Sequence, residues 1–191
     1  MPFAPVLSAI PSQIDEHTAG AGSPGKHHAV PAAVLARAKA AAASLFAGIG
    51  VKLEWKEGEP RGPHRPGACA GQPNEILEAQ FDELAGAQFP SDAMAYAVPG
   101  KAGICIHIFY NRVVAAHSRD LTPVLLGHVP AHEIGHGLEG IARHSEEGLM
   151  KARWSIGVYM RMSQSSLPIA EEDAQLMRSY LNRSASARAR P

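Results

Sequence analysis

Cysteine, net charge and long apolar runs are all scarce in this sequence. The 191 residues include two cysteines, Cys69 and Cys105, which are too few for a disulfide framework, and we expect two free thiols. The 18 Lys and Arg residues are balanced by 18 Asp and Glu residues, so no strong electrostatic field would attract nucleic acid or an anionic membrane. No apolar run approaches the roughly 20 residues of a membrane-spanning helix. These features argue against a nucleic-acid partner and against a membrane span.

The length and the hydrophobic content predict a single domain. A chain of 191 residues that is 46% hydrophobic is long enough to bury one substantial core and too short for two. We expect this domain to cover residues 27–183 and to be monomeric.

The two ends of the chain are predicted to lie outside that domain. Residues 1–26 mix Pro, Ser, Gly and Ala without a regular period, which indicates a flexible arm, and residues 184–191 are predicted to form a frayed tail. No Lys or Arg precedes Lys26, so the arm does not have the charged start of a secretory signal. We therefore expect the chain as written to stay in the cytoplasm, and to be secreted only if a signal lies upstream.

The spacing of apolar residues predicts both helices and strands. Residues 31–48 carry apolar side chains at helical spacing and end near a pair of glycines, which indicates a helix. The alternating segment 51–56 and the isoleucine-rich segment 104–109 are predicted to be strands. Residues 75–81 fit either a strand or a short helix, and we favour the strand. Further helices are predicted over 111–117, 122–139 and 169–181.

The sequence His132-Glu133-Ile134-Gly135-His136 lies inside the predicted helix 122–139. Residues at positions i and i+4 share one face of a helix, so His132 and His136 can present two imidazoles to one metal ion, with Glu133 beside them. A catalytic zinc ion usually has three protein ligands and a water in the fourth position. Glu133 is suited to take a proton from that water and pass it to a leaving nitrogen. The pattern therefore favours a zinc site with a glutamate base over an ordinary surface helix.

A third ligand must follow soon after this helix. We favour His144, because Gly140 allows the chain to turn back: glycine adopts a positive φ without steric cost. Three nearby carboxylates are rival ligands, namely Glu139, Glu146 and Glu147. Glu139 shares the helix with His136, whereas a third tetrahedral ligand is easier to supply from chain that has turned back. His144 therefore remains the preferred ligand.

His128 extends the histidine stripe by one turn, but we exclude it as a ligand. At 1.5 Å per residue, the Cα atoms of His128 and His136 stand about 12 Å apart, too far for both side chains to bind the same ion comfortably. His128 is predicted to be a surface residue or a residue behind the ligands. Pro130 lies inside the same predicted helix, where it removes one backbone hydrogen bond, so the helix is expected either to bend there or to start later.

The segment from His132 to Ser145, followed by Glu146 to Met150, resembles the zinc signature and Met-turn of the metzincin metallopeptidases. The nearest type is matrixin-like, and small bacterial proteins with a His-Ser-x-x-Gly-x-Met ending are closer still. The sequence differs from the usual pattern in two ways: His144 lies two residues farther from His136, and Glu139 stands where that pattern has a glycine. A longer turn through Gly140 would absorb the difference.

The resemblance implies an α+β zincin fold, with a twisted mixed sheet, an active-site helix and a C-terminal helix. It also implies that an extended peptide substrate pairs with strand 104–109 as the edge of the sheet. The site residues that it implies are His132, His136 and His144 as ligands of Zn2+, Glu133 as general base and Met150 as the Met-turn residue beneath the metal. In some metzincins a tyrosine swings towards the substrate oxyanion, but for Tyr159 we favour simple packing, and we expect Trp154 to be a core residue.

The sequence therefore predicts a zinc-dependent endopeptidase in which Glu133 activates a water molecule. A catalytically weak, zinc-stabilised domain that binds peptides or proteins is the alternative. The intact Glu133 favours the enzyme, because a purely structural zinc site has no need of a base at that position.

Overall fold

The computed structural model describes residues 6–12, 30–55, 76–82, 89–100, 103–116, 120–141 and 143–188. Cys69 lies outside this set, as do residues 1–5 and 13–26 of the predicted arm. In chain order the elements are β1 (Val6–Ser12), α1 (Ala32–Ala47), β2 (Lys52–Trp55), β3 (Ile76–Asp82), β4 (Ala95–Gly100), β5 (Gly103–Phe109), α2 (Tyr110–Ala116), α3 (Thr122–Glu139), α4 (Ile156–Gln164) and α5 (Glu171–Arg188).

The strands form one five-stranded mixed sheet in the order β2-β1-β3-β5-β4. The first four strands of that order pair in parallel, and β4 pairs antiparallel with β5. The prediction of a strand over 104–109 is confirmed, but its assignment as the edge of the sheet is wrong, because β5 lies between β3 and β4. The edge strand at this end is β4. Its sequence, Ala-Tyr-Ala-Val-Pro-Gly, has no strong strand pattern, and for that reason the sequence does not predict it.

The N-terminal segment contributes a strand that the sequence does not predict. β1 pairs with β2 on one side and with β3 on the other. Residues 6–12 are therefore part of the sheet and not part of a free arm. Their sequence, Val-Leu-Ser-Ala-Ile-Pro-Ser, mixes apolar and small polar residues, so pairing on both sides, and not local propensity, defines the strand.

The helices agree more closely with the sequence. α1 ends at Ala47, with Gly48 as its C-cap, as expected. α2 matches the predicted segment 111–117 to within one residue at each end. The strand predicted over 75–81 is also confirmed, as β3. α4 occupies a segment for which the sequence is ambiguous. α5 is longer than predicted, because it extends to Arg188 and so includes part of the expected frayed tail. None of the helices within the described residues is long and apolar enough to span a membrane.

α3 is the central helix of the core and carries the His-Glu-x-x-His motif. It begins at Thr122, with Leu121 in the N-cap position, and it continues through Pro130 without a later start. Its residues Leu125, Ile134 and Leu138 are buried in the core. On one side α3 packs against α1 so closely that a Cβ atom on Gly127 would lie 2.6 Å from the Cβ of Ala41. The helix that presents the motif is thus held firmly by its packing against α1.

Candidate metal centre

Three histidine side chains converge at the C-terminal half of α3. The Nε2 atom of His136 lies 3.0 Å from Nε2 of His132 and 3.2 Å from Nε2 of His144. Four-coordinate zinc with nitrogen ligands at about 2.0–2.1 Å requires the nitrogens to stand about 3.3–3.4 Å apart. The separations in the structure are close to that value. Among the described residues, these three histidines form the group whose ligand atoms could hold a metal ion.

The protonation of His132 suits a metal ligand. Its Nδ1–H donates a hydrogen bond to the carbonyl oxygen of Leu149, 2.8 Å away, and so its Nε2 carries the lone pair that faces the other two histidines. Burial lowers the pKa of His132 to about 4, and burial also lowers the pKa of His136. Both imidazoles are therefore neutral near pH 7, as metal binding requires.

The turn after α3 brings His144 back to the helix. Gly140 has a φ of 70° and ends α3 in the left-handed region, as expected for a glycine that follows a helix. The backbone N–H of Ser145 donates to the carbonyl oxygen of Met150 at 2.9 Å, which closes the loop after His144. The additional two residues between His136 and His144 are thus accommodated in the turn, and the wider spacing does not keep His144 away from the other histidines.

Met150 is fully buried. Its thioether packs against α3 at Gly135, between the two helical histidines, and a Cβ atom on Gly135 would overlap the sulfur atom. The residue before it, Leu149, provides the carbonyl oxygen that holds His132. The segment that contains Met150 therefore packs against α3 at Gly135 and holds His132 through a hydrogen bond.

Glu133 lines the same cleft as the three histidines, and burial raises its pKa to about 7. The rival carboxylates do not belong to the histidine cluster. Glu139 is buried at the end of α3, with its Oε2 atom 3.7 Å from the Nε of Arg143. Glu146 and Glu147 lie outside the cleft and the cluster, on the loop after His144.

His128 is also outside the cluster and has a structural contact of its own. Its Nδ1–H donates to the carbonyl oxygen of Val124 at 2.8 Å, and its Nε2 accepts the backbone N–H of Leu167 at 3.2 Å. Because the Leu167 N–H can only donate, this pairing requires neutral His128. The side chain is buried and connects α3 to the segment before α5.

This contact predicts that protonation of His128 destabilises the fold. Burial lowers the pKa of His128 in the folded state, so below about pH 6.5 the unfolded chain binds a proton more readily than the folded one, and stability falls as pH falls. We expect the free energy of unfolding of the metal-free protein to decline less steeply from pH 8 to pH 5.5 in His128→Gln than in the wild type. Urea unfolding with a chelator present measures both slopes, and the other histidines are common to both proteins. Equal slopes would contradict this role.

A cleft of about 600 Å3 lies in front of the histidines. One wall is the edge strand β4, represented by Ala95, Tyr96 and Ala97, and the lining also includes Trp154 and Tyr159. The sequence does not predict that Trp154 and Tyr159 lie in the cleft, because their placement depends on how the segment after Met150 and helix α4 fold back. Burial, and then the nearby carboxylate of Asp92, raise the pKa of Tyr159 above its usual value.

The indole of Trp154 contacts the cluster directly. Its ring stands edge-on to the ring of His132, with 5.6 Å between the ring centroids, and edge-on to Tyr159 at 6.4 Å. On the β4 side, Tyr96 stacks on the ring of His107 at 4.5 Å. His107 is therefore a packed side chain, and the cleft has aromatic residues both from β4 and from the segment after Met150.

Comparison with known proteins gives a likeness at the level of the fold. No protein-family model matches the sequence, and no curated protein matches it. Among solved structures, the crystal structure of archaemetzincin from Methanopyrus kandleri aligns with a TM-score of 0.53 and 15% sequence identity, over 93% of this chain and 96% of that one. The chain therefore has a mixed α/β fold similar to that of archaemetzincin, and three of its histidines are placed where they could bind a metal ion.

Proposed function

We propose that this chain is a zinc-dependent endopeptidase. The observation that carries the proposal is the convergence of three imidazole Nε2 atoms at 3.0 and 3.2 Å separations, in a cleft that also contains a carboxylate with a pKa of about 7. Three imidazole nitrogen ligands and a nearby base are the usual parts of a catalytic zinc site, in which the fourth position stays open. The fold similarity to archaemetzincin and the packing of Met150 against Gly135 support the same assignment.

His132, His136 and His144 would hold the zinc ion. When bound, zinc would act as a Lewis acid, which lowers the pKa of a coordinated water molecule and polarises the substrate carbonyl. The Glu133 carboxylate accepts the proton of the attacking water and then delivers it to the leaving amide nitrogen. A base with a pKa near the working pH is effective in both directions, and burial gives Glu133 such a value in the metal-free protein.

The substrate would bind as an extended strand along β4. Among the described residues, β4 is the last strand of the sheet beyond β5, and its residues Ala95, Tyr96 and Ala97 line the cleft. The edge of a sheet is suited to bind an extended peptide through main-chain hydrogen bonds. Such contacts do not depend on substrate side chains, so selectivity would come from the walls of the cleft.

The test is zinc stoichiometry and cleavage of a mixed peptide library by the wild type and by Glu133→Ala. We expect both proteins to bind one zinc ion per chain, and we expect the variant to lose about 10²–10⁴-fold in cleavage rate, as is typical when a general base is removed. Glu147→Ala is the matched control, because Glu147 is a carboxylate outside the cleft. If wild type and Glu133→Ala bind zinc equally and neither cleaves, the protein is a zinc-stabilised binding domain instead.

A further inference from the structure

The buried carboxylate of Asp173 contacts both neighbours of His144. Asp173 lies in the first turn of α5, and its side chain is completely buried. The hydroxyl of Ser145 lies 2.6 Å from Oδ1 and 2.8 Å from Oδ2 of Asp173, and the guanidinium of Arg143 donates to Oδ1. Residues 143 and 145 are thus tied to α5, with His144 between them.

His144 depends on these contacts more than the other two histidines do. His132 and His136 are held by α3, whereas His144 lies on an exposed loop beyond the end of that helix. A ligand on a loop keeps its position only if its neighbours are fixed, and a carboxylate that contacts both neighbours provides this constraint. The hydrogen bond from Ser145 N–H to the Met150 carbonyl ties the same loop to the Met150 segment.

Asp173 also forms an ion pair with the residue that precedes His144. Asp173 is completely buried, whereas the side chain of Arg143 is partly exposed. Arg143 is the cation in contact with the carboxylate, and it also faces Glu139 at 3.7 Å and Glu172 at 3.5 Å.

We infer that Asp173 is a positioning residue that sets the zinc affinity of the histidine cluster. Its contacts fix the Arg143-His144-Ser145 segment, and its buried carboxylate lies next to that segment. Asp173 does not itself bind the metal. The inference rests on the proposed zinc site and extends it to α5, a part of the chain that lies far from the histidine motif in sequence.

The first variant separates charge from shape. Asp173→Asn keeps the size of the side chain and a hydrogen-bonding group but removes the charge. We expect the dissociation constant for zinc, measured by competition with a fluorescent chelator, to rise about 10–100-fold, the usual effect of losing a partner of a metal ligand. Glu171→Gln is the matched control, because it removes an exposed carboxylate from the same helix turn that pairs with Arg178 and not with Arg143, and its zinc affinity should match that of the wild type.

A second variant tests the geometric part. Ser145→Ala removes the hydrogen bond from the Ser145 hydroxyl to Asp173 but keeps the Asp173 carboxylate. We expect a loss of zinc affinity smaller than that of Asp173→Asn. The visible spectrum of the Co2+-substituted protein reports ligand geometry, and it should change in both variants but not in Glu171→Gln. The thermal midpoint of each metal-free variant identifies any that fail to fold. If the wild type binds no zinc, the proposed function itself fails. If the wild type binds zinc and neither Asp173→Asn nor Ser145→Ala binds it more weakly than Glu171→Gln, only this inference is wrong.

Discussion

Replacement of His144 by alanine is expected to weaken zinc binding more than any change outside the three histidines. His144 supplies one of three converging nitrogen atoms. A metal site with only two protein ligands binds zinc more weakly and no longer fixes its coordination geometry. The zinc dissociation constant should therefore rise by more than the about 10–100-fold that loss of an outer partner causes. Isothermal titration or chelator competition at pH 7.5, with the metal-free midpoint of unfolding recorded in parallel, measures this effect.

His128→Ala is the matched control for that experiment. His128 is a histidine on the same face of the same helix, but its two ring nitrogens are already bonded to Val124 and Leu167. We expect His128→Ala to lower stability and to leave zinc affinity nearly unchanged. The opposite pattern, in which zinc affinity depends on His128 and not on His144, would place the metal one turn earlier along α3 and would contradict the ligand set.

Gly148→Ala is expected to damage both the fold and the metal centre. Gly148 has a φ of 76°, and a Cβ atom there would lie 2.5 Å from the carbonyl oxygen of Pro168, which already accepts the N–H of Leu149 at 2.8 Å. The left-handed conformation costs about 1–2 kcal/mol in a residue with a Cβ, and the overlap adds about 1–3 kcal/mol. Because the Leu149 carbonyl holds His132, displacement of this loop should also weaken zinc binding.

Gly140→Ala measures the cost of the left-handed conformation without the cost of steric overlap. Gly140 has a similar φ of 70°, but a Cβ atom at this position would meet no atom of another described part of the chain within 4 Å. Only the conformational cost of about 1–2 kcal/mol applies. Urea unfolding of the two variants should therefore show a distinctly larger loss of stability for Gly148→Ala. Equal losses of stability would mean that the contact with Pro168 does not constrain residues 148–150.

The parts of the site that could be predicted from the sequence are those that follow from local geometry. Helical periodicity alone puts His132 and His136 on one face, and a glycine after the helix indicates where the chain can turn towards His144. The exclusion of His128 follows from the length of a helical turn. All three features depend on the helix and its end alone and not on the rest of the fold, and the structure brings the three favoured histidines together.

The parts that the sequence does not predict depend on contacts between distant segments. β1 and β4 have weak strand patterns and are defined by pairing with strands elsewhere in the chain. Without β4, the sequence indicates β5 as the edge of the sheet, and the proposed substrate strand therefore moves from β5 to β4. Asp173 is 28 residues from Ser145, and no local pattern indicates that its carboxylate reaches that hydroxyl.

The residues of the cleft walls also depend on contacts between distant segments. The sequence favours packed positions for the aromatic residues Trp154 and Tyr159, and their rings pack against each other. Their second property, that they line the cleft in front of the histidines, depends on where α4 lies relative to α3. A single sequence contains no periodic signal for that arrangement, so residues of the cleft walls are harder to predict than metal ligands.

The most direct test of the central claim is X-ray absorption at the zinc edge on wild-type protein that has been loaded with one equivalent of zinc. The account predicts a four-coordinate ion with three imidazole nitrogens and one further light atom at about 2.0–2.1 Å, and the loss of one imidazole in His144→Ala. Sulfur ligands at about 2.3 Å, or an unchanged imidazole count in His144→Ala, would contradict it.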